Sequence, residues 1–573
     1  MNFFFYREKG SHPCSWALGS FSSFILVVLA CGSMILFGCH NEQVATRRLP
    51  VTVPAAPPNG IQMIDTAESA GLHYRWTIPG KRPLTILQTI GNGCAFLDYD
   101  NDGNLDILLV GPKLALYKGD GHGHFTDVSH ATGLDTLHGH FLGCAVGDYD
   151  NDGYDDLYIS AYRGGILLHN EGGKRFRDVT AEAGIRPQPW GSSAAFADID
   201  GDGKLDLYIC NYLKFGPSSP QHCTLNRHLA ACGPRDYAPE RGVLYHNLGG
   251  GRFRDVTTAW GAQQAQGKGL GVAAADYDGS GHQSLAIAND VMPGDLLQYR
   301  GGKFEDVGTA SGTAFDRNGN LHGGMGLDWG DYDNDGRLDL LVATFQMEAK
   351  NLYHNTGGSF VDNSVPLGLA SKTMPYVAFG AKFLDVDNDG WLDILLTNGH
   401  TQDNTAEINP TTTYREPTQL FHNDNGTAYT EISAALVGKA GQPIVGRGLA
   451  VGDFDNDGKI DALVVDSEGA PLLLHNQTAK AGHWLLCRLI GTKCNRDGQG
   501  ALVRAQAGDK TFLRRCGTDG SYLSASDKRV HIGLGAAQQA TLTVQWPDGH
   551  QDVYKDVAAD RIVTLREGAS HPE

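Results

Sequence analysis

The chain has 573 residues, of which 41% are hydrophobic and 75 are glycine, and it carries a formal net charge of −19 at neutral pH. It is long enough to bury a large core, and so much glycine suits a protein built from tight turns. The acidity excludes the basic footprint of a nucleic-acid binder, and it is concentrated: 26 of the 65 acidic residues fall in one recurring turn motif.

In chain order, Arg7 and Lys9 precede an apolar run from Trp16 to Gly38, which is the arrangement of an export signal. The run is long for a cleaved signal and could span a bilayer. However, Leu36, Phe37, Gly38 and Cys39 form a lipobox-like tetrapeptide, with Val28 to Cys31 as a rival. The expectation is a bacterial envelope lipoprotein, periplasmic or surface-facing, lipidated at Cys39, with an uncleaved anchor as the alternative. Residues 1–39 are the signal or anchor, and residues 40–60, rich in proline, are a tether.

Beyond the tether the chain repeats itself. The pattern DxDxDGxxD occurs intact six times. Its carboxylates are Asp98, Asp100, Asp102 and Asp106; Asp148, Asp150, Asp152 and Asp156; and Asp198, Asp200, Asp202 and Asp206. Three later copies hold Asp331, Asp333, Asp335 and Asp339; Asp385, Asp387, Asp389 and Asp393; and Asp453, Asp455, Asp457 and Asp461. A seventh copy keeps Asp276 and Asp278 but has Ser280 and Ser284 in place of the other two.

Asp, Asn and Gly are common in ordinary turns, but four carboxylates within nine residues repel one another unless a cation sits among them. Positions 1, 3, 5 and 9, with glycine at 6, match the first half of an EF-hand loop, whose position-7 carbonyl, here Asn104, adds a ligand. No position-12 glutamate follows, and LDILLV reads as a strand, so each loop joins two strands. The expected cofactor is Ca2+ at about six structural sites, with weak or no metal at Asp276 and Asp278. Six bound ions would bring the charge to about −7.

The copies start 50, 50, 78, 55, 54 and 68 residues apart, a period typical of propellers and solenoids. Each repeat has a small-residue apolar run before the loop and a strand after it. A third segment ending in Asn (ILLHNEGG, NLYHNTGG) and a fourth of FRDVT type complete the four strands of a propeller blade. The last loop, at Asp453, has no fourth segment, whereas IQMIDTAESAGL at Ile61 has no loop before it. The two complete each other only if the chain closes into a ring. The predicted fold is all-β: a seven-bladed β-propeller over residues 61–478 and a small C-terminal β-sandwich over 479–568.

The third repeat carries an insertion from Asn211 to Arg241 that holds Cys223 and Cys232, while Cys494 and Cys516 lie in the C-terminal region. One disulfide is expected in each place. Cys94 and Cys144 hold equivalent places in successive repeats and read as buried small residues. His169, His246, His354, His422 and His475, each just before an Asn, read as structural.

With these repeats, the lipobox and the tail in view, the chain resembles the bacterial cartilage-acidic-protein-like family, which joins FG-GAP/VCBS repeats to a C-terminal ASPIC/UnbV domain. The likeness rests on the loops from about Ile61 to Asn476, on HGGMGLDWGDYDNDG from His322, TNGH ending at His400, and CGPRDY from Cys232. In the tail it rests on HWLLCRLIG from His483, CNRDGQGALV, GSYLSAS, HIGLG and VQWPDG. Gln499 and Ala525 depart from the family pattern, which expects isoleucine and glutamine.

The resemblance implies adhesion or ligand binding at the cell envelope and brings no catalytic residues. The leading expectation is a calcium-stabilised binding scaffold whose protein or polysaccharide partner docks on ring loops. The insertion is either the recognition element or a disulfide-pinned cover over a blade edge. The alternative is an exported propeller enzyme acting on polysaccharide or a related envelope substrate, with His322, His400 and Asp403 as candidates and Arg447 as an anion clamp. No GxSxG, HExxH or other catalytic constellation supports it.

Overall fold

In the first repeat, Cys94–Leu97 pairs antiparallel with Asp106–Leu109 across the aspartate loop, and Ala115–Gly119 and Phe125–Asp127 follow as third and fourth strands. The reversal uses two left-handed residues, Asn101 (φ 57°) and Gly103 (φ 87°), the residue types that adopt this conformation at least cost. The computed structural model describes residues 57–265 and 267–573; the export segment, Cys39 and residues 40–56 lie outside the described residues.

Among the described residues the protein is all-β, its α-helices being single turns of four residues. Seven units share the four-stranded plan. Their first strands are Cys94–Leu97, His140–Gly147, Gln188–Ala197, Gly269–Ala275, Leu327–Gly330, Ala378–Leu384 and Gly446–Gly452. These lie side by side in chain order, and the last returns against the first, giving a propeller-like ring.

Met63–Asp65 closes it by pairing antiparallel with Leu472–Asn476, Met63 opposite Asn476. The N-terminal strand is thus the fourth strand of the seventh unit. The seam is also apolar: Phe96 and Ile107 of the first unit share a buried cluster with Phe454, Leu463 and Leu473 of the seventh. Each such side chain contributes about 1.5–3 kcal/mol on burial.

The tail forms two sheets. Val530–Gly535, His483–Ile490 and Arg561–Arg566 make one, and Lys510–Arg515, Leu502–Ala507, Gln539–Gln545 and Gln551–Ala558 the other. Leu485, Val503, Ile532, Leu542 and Trp546 fill the core they share.

The segment between Lys510–Arg515 and Val530–Gly535, which contains GSYLSAS, enters the centre of the ring and touches all seven first strands. Ala525 exchanges backbone hydrogen bonds with Cys94 and Phe96, Leu523 O accepts from Cys144 N, and Ser521 pairs with Leu327. Leu523 N donates to Ser193 Oγ, Asp519 accepts from Ala274 N, and Ser526 Oγ accepts from Val451 N. The Tyr522 ring packs edge-on against Phe379, 4.9 Å between centroids. The ring centre is therefore plugged by the tail. Ser521 (φ 59°) and Leu523 (φ 55°) are both left-handed, which such residues adopt only where surroundings impose it.

The two cysteine expectations diverge. Cys223 and Cys232 are bonded, with an S–S distance of 2.01 Å. Cys494 and Cys516 are both free and buried, which corrects the second pairing. The Cys516 thiol faces the root of the plug, donating to Lys528 O at 3.3 Å, whereas Cys494 sits in a different turn beside Asp548.

The plug explains several of the small residues before the loops: Gly93 and Gly143 face Leu523, Gly326 faces Ser521 and Gly448 faces Ser524. A Cβ at Gly93 would stand 1.7 Å from Leu523 O. Gly93→Ala is expected to destabilise the protein by at least about 1–3 kcal/mol, read as a lower midpoint in chemical denaturation. Gly358→Ala, where a Cβ meets nothing within 4 Å, is the neutral control; equal midpoints for the two variants would contradict the plug.

Candidate functional site

Each aspartate loop divides its carboxylates by task. The position-1 carboxylate turns the chain: Asp98 accepts from Asp102 N and Gly103 N, both at 3.1 Å. The position-5 carboxylate accepts from the position-7 amide, as Asp102 does from Asn104 N at 2.9 Å. Position 9 is fully buried and ties the loop to the blade. Asp106 accepts from Tyr99 N and from Gly119 N of the third strand, both at 2.9 Å. Asp156, Asp206, Asp339, Asp393 and Asp461 accept from Asn170, Asn247, Asn355, Asn423 and Asn476 in the same way.

The position-3 carboxylate does less for the backbone, although Asp150 Oδ1 accepts from Asp152 N at 3.3 Å and Asp387 Oδ2 from Asn59 Nδ2 at 2.6 Å. Oδ1 of Asp100, Asp200, Asp333, Asp387 and Asp455 is buried without a hydrogen-bond partner, a costly arrangement. The residues thus fit a hard cation, with one buried oxygen in five of six intact loops otherwise unused. Electrostatics agree. Burial, with neighbouring carboxylates adding, pushes Asp106 up to about 8 and Asp198 up to about 7, and burial does the same to Asp453, up to about 7. In the eroded copy, Asp278 is already engaged by Gln298 at 2.6 Å and Arg300 at 3.3 Å.

Three roles escape a reading of the sequence alone. The third-strand histidines reach the position-3 carboxylates: His169 Nδ1 lies 3.3 Å from Asp150, His354 Nδ1 3.3 Å from Asp333 and His475 Nε2 3.1 Å from Asp455. They border the candidate metal sites, and Lys118 does so in the first loop, beside Asp100. The asparagine after each such histidine staples neighbouring blades: Asn423 Nδ2 donates to Tyr332 O of the preceding unit at 2.8 Å and to Leu392 O at 3.0 Å. The position-4 asparagines link loop to loop, Asn334 donating to Gly390 O at 3.1 Å and Asn388 to Gly458 O at 3.0 Å. The HN repeat and the N of DxDND were the available signals.

The tail lies on this loop face. Arg488 reaches Asn101, Arg496 N donates to Asn151, Arg504 reaches Gly336 O, Arg514 reaches Gly390 O and Arg529 reaches Asn456. Basic side chains of one domain thus meet the acidic face of the other.

The opposite face carries a cavity of about 610 Å³. Ile90, Leu270, Met325 and Phe379 form its apolar base, and Asp290 and Glu348 stand in its wall. Asp290 accepts from the Tyr212 hydroxyl, and burial pushes its carboxyl up to about 6; burial also raises Glu348. The roof is the insertion. Its hairpin, His222–Leu225 with His228–Ala231, leaves the third unit and meets the 402–408 segment. Ala231 N donates to Gln402 Oε1 at 2.9 Å, and Asn404 Nδ2 donates to Leu229 O at 2.8 Å. The insertion therefore spans the ring face and does not cover a blade edge.

The enzyme candidates are only partly brought together. His400 O accepts from Arg447 Nη2 at 3.3 Å, but the Arg447 guanidinium is buried and also donates to the carbonyls of Thr89, Gly399 and Gly446. It is a strut, which corrects the anion-clamp expectation. Asp403 pairs with Arg82, and His322 lies 3.2 Å from the Tyr353 hydroxyl. Burial lowers both His322 and His400 to about 4.

Comparison with known proteins fits this architecture. FG-GAP-like repeats match at residues 98–159, 148–209, 331–396 and 385–464, and the ASPIC and UnbV domain matches residues 491–572. The chain belongs to the FG-GAP/UnbV family. Its relatives include cartilage acidic protein 1 of Xenopus tropicalis, 26% identical over 80% of this chain and 70% of that protein. The Homo sapiens protein of that name is 25% identical over 83% and 71%. Among solved structures, the Niastella koreensis GH74 enzyme aligns with a TM-score of 0.40 and 11% identity over 85% of this chain and 70% of that one, too loosely to carry an argument. Family membership covers both the loop-bearing ring and the tail that lies on it.

The blade staple makes a prediction independent of metal. Asn423→Ala removes the Nδ2 hydrogen bonds to Tyr332 O, Leu392 O and the Tyr429 hydroxyl and the Oδ1 bond from Gly426 N, and takes from Tyr332 O its side-chain donor, so a loss of about 2–4 kcal/mol is expected. The loss should be the same in excess calcium and in chelator, measured by denaturant melts; a loss that appears only with calcium would reassign Asn423 to the metal site.

Proposed function

We propose that the protein is a calcium-stabilised, envelope-anchored binding scaffold: a seven-bladed propeller whose loop face is held by its C-terminal domain and whose opposite face receives a protein partner. The observation that carries this reading is the apolar cavity on the face the tail leaves free. Four exposed hydrophobic side chains support a protein partner over a polysaccharide: Leu225 and Leu229 on the hairpin, and Leu321 and Met347 on the loops around residues 316–322 and 345–348. Leu225 lines the cavity and Met347 sits between its lining residues Gln346 and Glu348, exposed apolar surface of the kind that marks interaction sites, and the carboxylates of Asp290 and Glu348 suit a cationic or hydrogen-bond-donating group on the partner. Export and lipidation at Cys39 would tether the ring to the envelope membrane.

Calcium is proposed at the six intact loops, held by positions 1, 3, 5 and 9 with the position-7 carbonyl. The ion would supply the positive charge that crowded carboxylates need and would pin each turn between two strands. One site occupied at tenfold excess over its Kd adds about 1.4 kcal/mol. Chelator should therefore lower the melting temperature and calcium restore it. Asp333→Asn should match the parent in chelator but fall short of it by about that amount at such a calcium level. An unchanged melt in excess chelator contradicts structural calcium.

For the partner, cross-linking pull-down from envelope extract with the full chain, set beside glycan-array binding with and without calcium, is the test. Capture of a discrete protein that is lost in Leu229→Asp and Met347→Asp variants is expected. Glycan binding insensitive to both variants would overturn the assignment of the face and of the partner class.

A further inference from the structure

At the edge of the tail, three turns remote in sequence bring together a different set of ligating groups. Cys494 follows the strand His483–Ile490, Glu567 follows Arg561–Arg566, and Asp548 and His550 lie in the turn between Gln539–Gln545 and Gln551–Ala558. One ligand atom from each of the four lies within 4.8 Å of the others. Ligand atoms around a tetrahedral zinc stand roughly 3.3–3.8 Å apart, given bonds of about 2.0–2.3 Å, so small side-chain rotations bring these groups to that spacing.

A second observation points to a missing ligand. Glu567 is 4% exposed, and its Oε2 is spent on three amides, Thr492 N, Lys493 N and Cys494 N, at 2.6, 2.7 and 3.1 Å. Its Oε1 is buried with no hydrogen-bond partner. It faces His550 Nε2 at 3.7 Å, beyond hydrogen-bond reach. A purely structural glutamate cap explains Oε2 and leaves Oε1 costly. Asp548 approaches the same imidazole from its Nδ1 side, and the His550 ring stacks on Trp546, with 17° between the planes, which orients it.

We propose that Cys494, Asp548, His550 and Glu567 form a site for a zinc-class divalent metal, distinct from the calcium loops and independent of the partner-binding reading. A thiolate and an imidazole select a borderline-soft ion over calcium. Cys494 and Glu567 belong to turns of the three-stranded sheet, whereas Asp548 and His550 belong to the four-stranded one. The metal therefore clips the two sheets together at one end. On binding, the Cys494 thiol gives its proton to solvent and the thiolate bonds the metal.

The test uses the full exported chain, stripped with chelator and resupplied with calcium. Zinc titration should show one additional site that calcium does not fill, and cobalt in its place should give a thiolate-to-metal charge-transfer band. C494S should abolish the band, and H550Q should weaken zinc binding by at least about tenfold, both with unchanged calcium-dependent melting. Zinc should also protect Cys494 from alkylation in the parent chain, a readout that does not depend on any variant folding. Absence of a stoichiometric zinc site, a band that survives C494S, or a Cys494 equally reactive with and without zinc would each overturn the proposal while leaving the calcium loops untouched.

Discussion

The buried carboxylate at position 9 of each loop is the interaction on which the rest depends. It lies at the base of the turn, and its two oxygens accept one amide from its own loop and one from the third strand of its blade. A buried carboxyl needs such partners, so the loop cannot rotate away from the blade without leaving buried polar groups unpaired. The neighbouring asparagine then reaches the preceding unit. Loop, blade and ring are thereby locked through a few adjacent atoms, and the remaining carboxylates are held close together whether or not they would choose to be.

This crowding gives the two faces different fates. The acidic face attracts the arginines of the tail, which approach several loops and send a segment through the ring centre. With the central channel filled and the tail lying on that face, the apolar cavity is on the opposite one. There the insertion, pinned by the Cys223–Cys232 bond, crosses to the sixth unit and encloses an apolar cavity. The aspartate loops and the apolar cavity therefore lie on opposite sides of the ring.

Much of this was legible in residues. The spacing of the aspartates and glycines located every loop, because a left-handed turn with converging side chains tolerates few substitutes. The count of fourth segments located the closing strand at Met63–Asp65, because an unpaired strand at each end is unstable unless the ends meet. The histidines were read as structural, and His169, His246 and His354 do contact the position-9 carboxylates, but adjacency in sequence does not tell that third-strand rings also face position 3. The pairing of Cys494 with Cys516 failed for a related reason: two cysteines in one small domain carry no sign of which turns fold beside which.

By itself, then, the sequence determined what is local and repeated: the turns, their carboxylates, the strand order and the need for a closed ring. Only the tertiary structure decided what depends on contacts between segments far apart. It placed GSYLSAS in the channel, set the tail on the loop face, carried the insertion across the ring and gathered Cys494, Asp548, His550 and Glu567 at one corner. Local patterns are imposed by backbone geometry within a few residues, whereas these juxtapositions arise from packing and charge pairing summed over the whole molecule, which no short motif records.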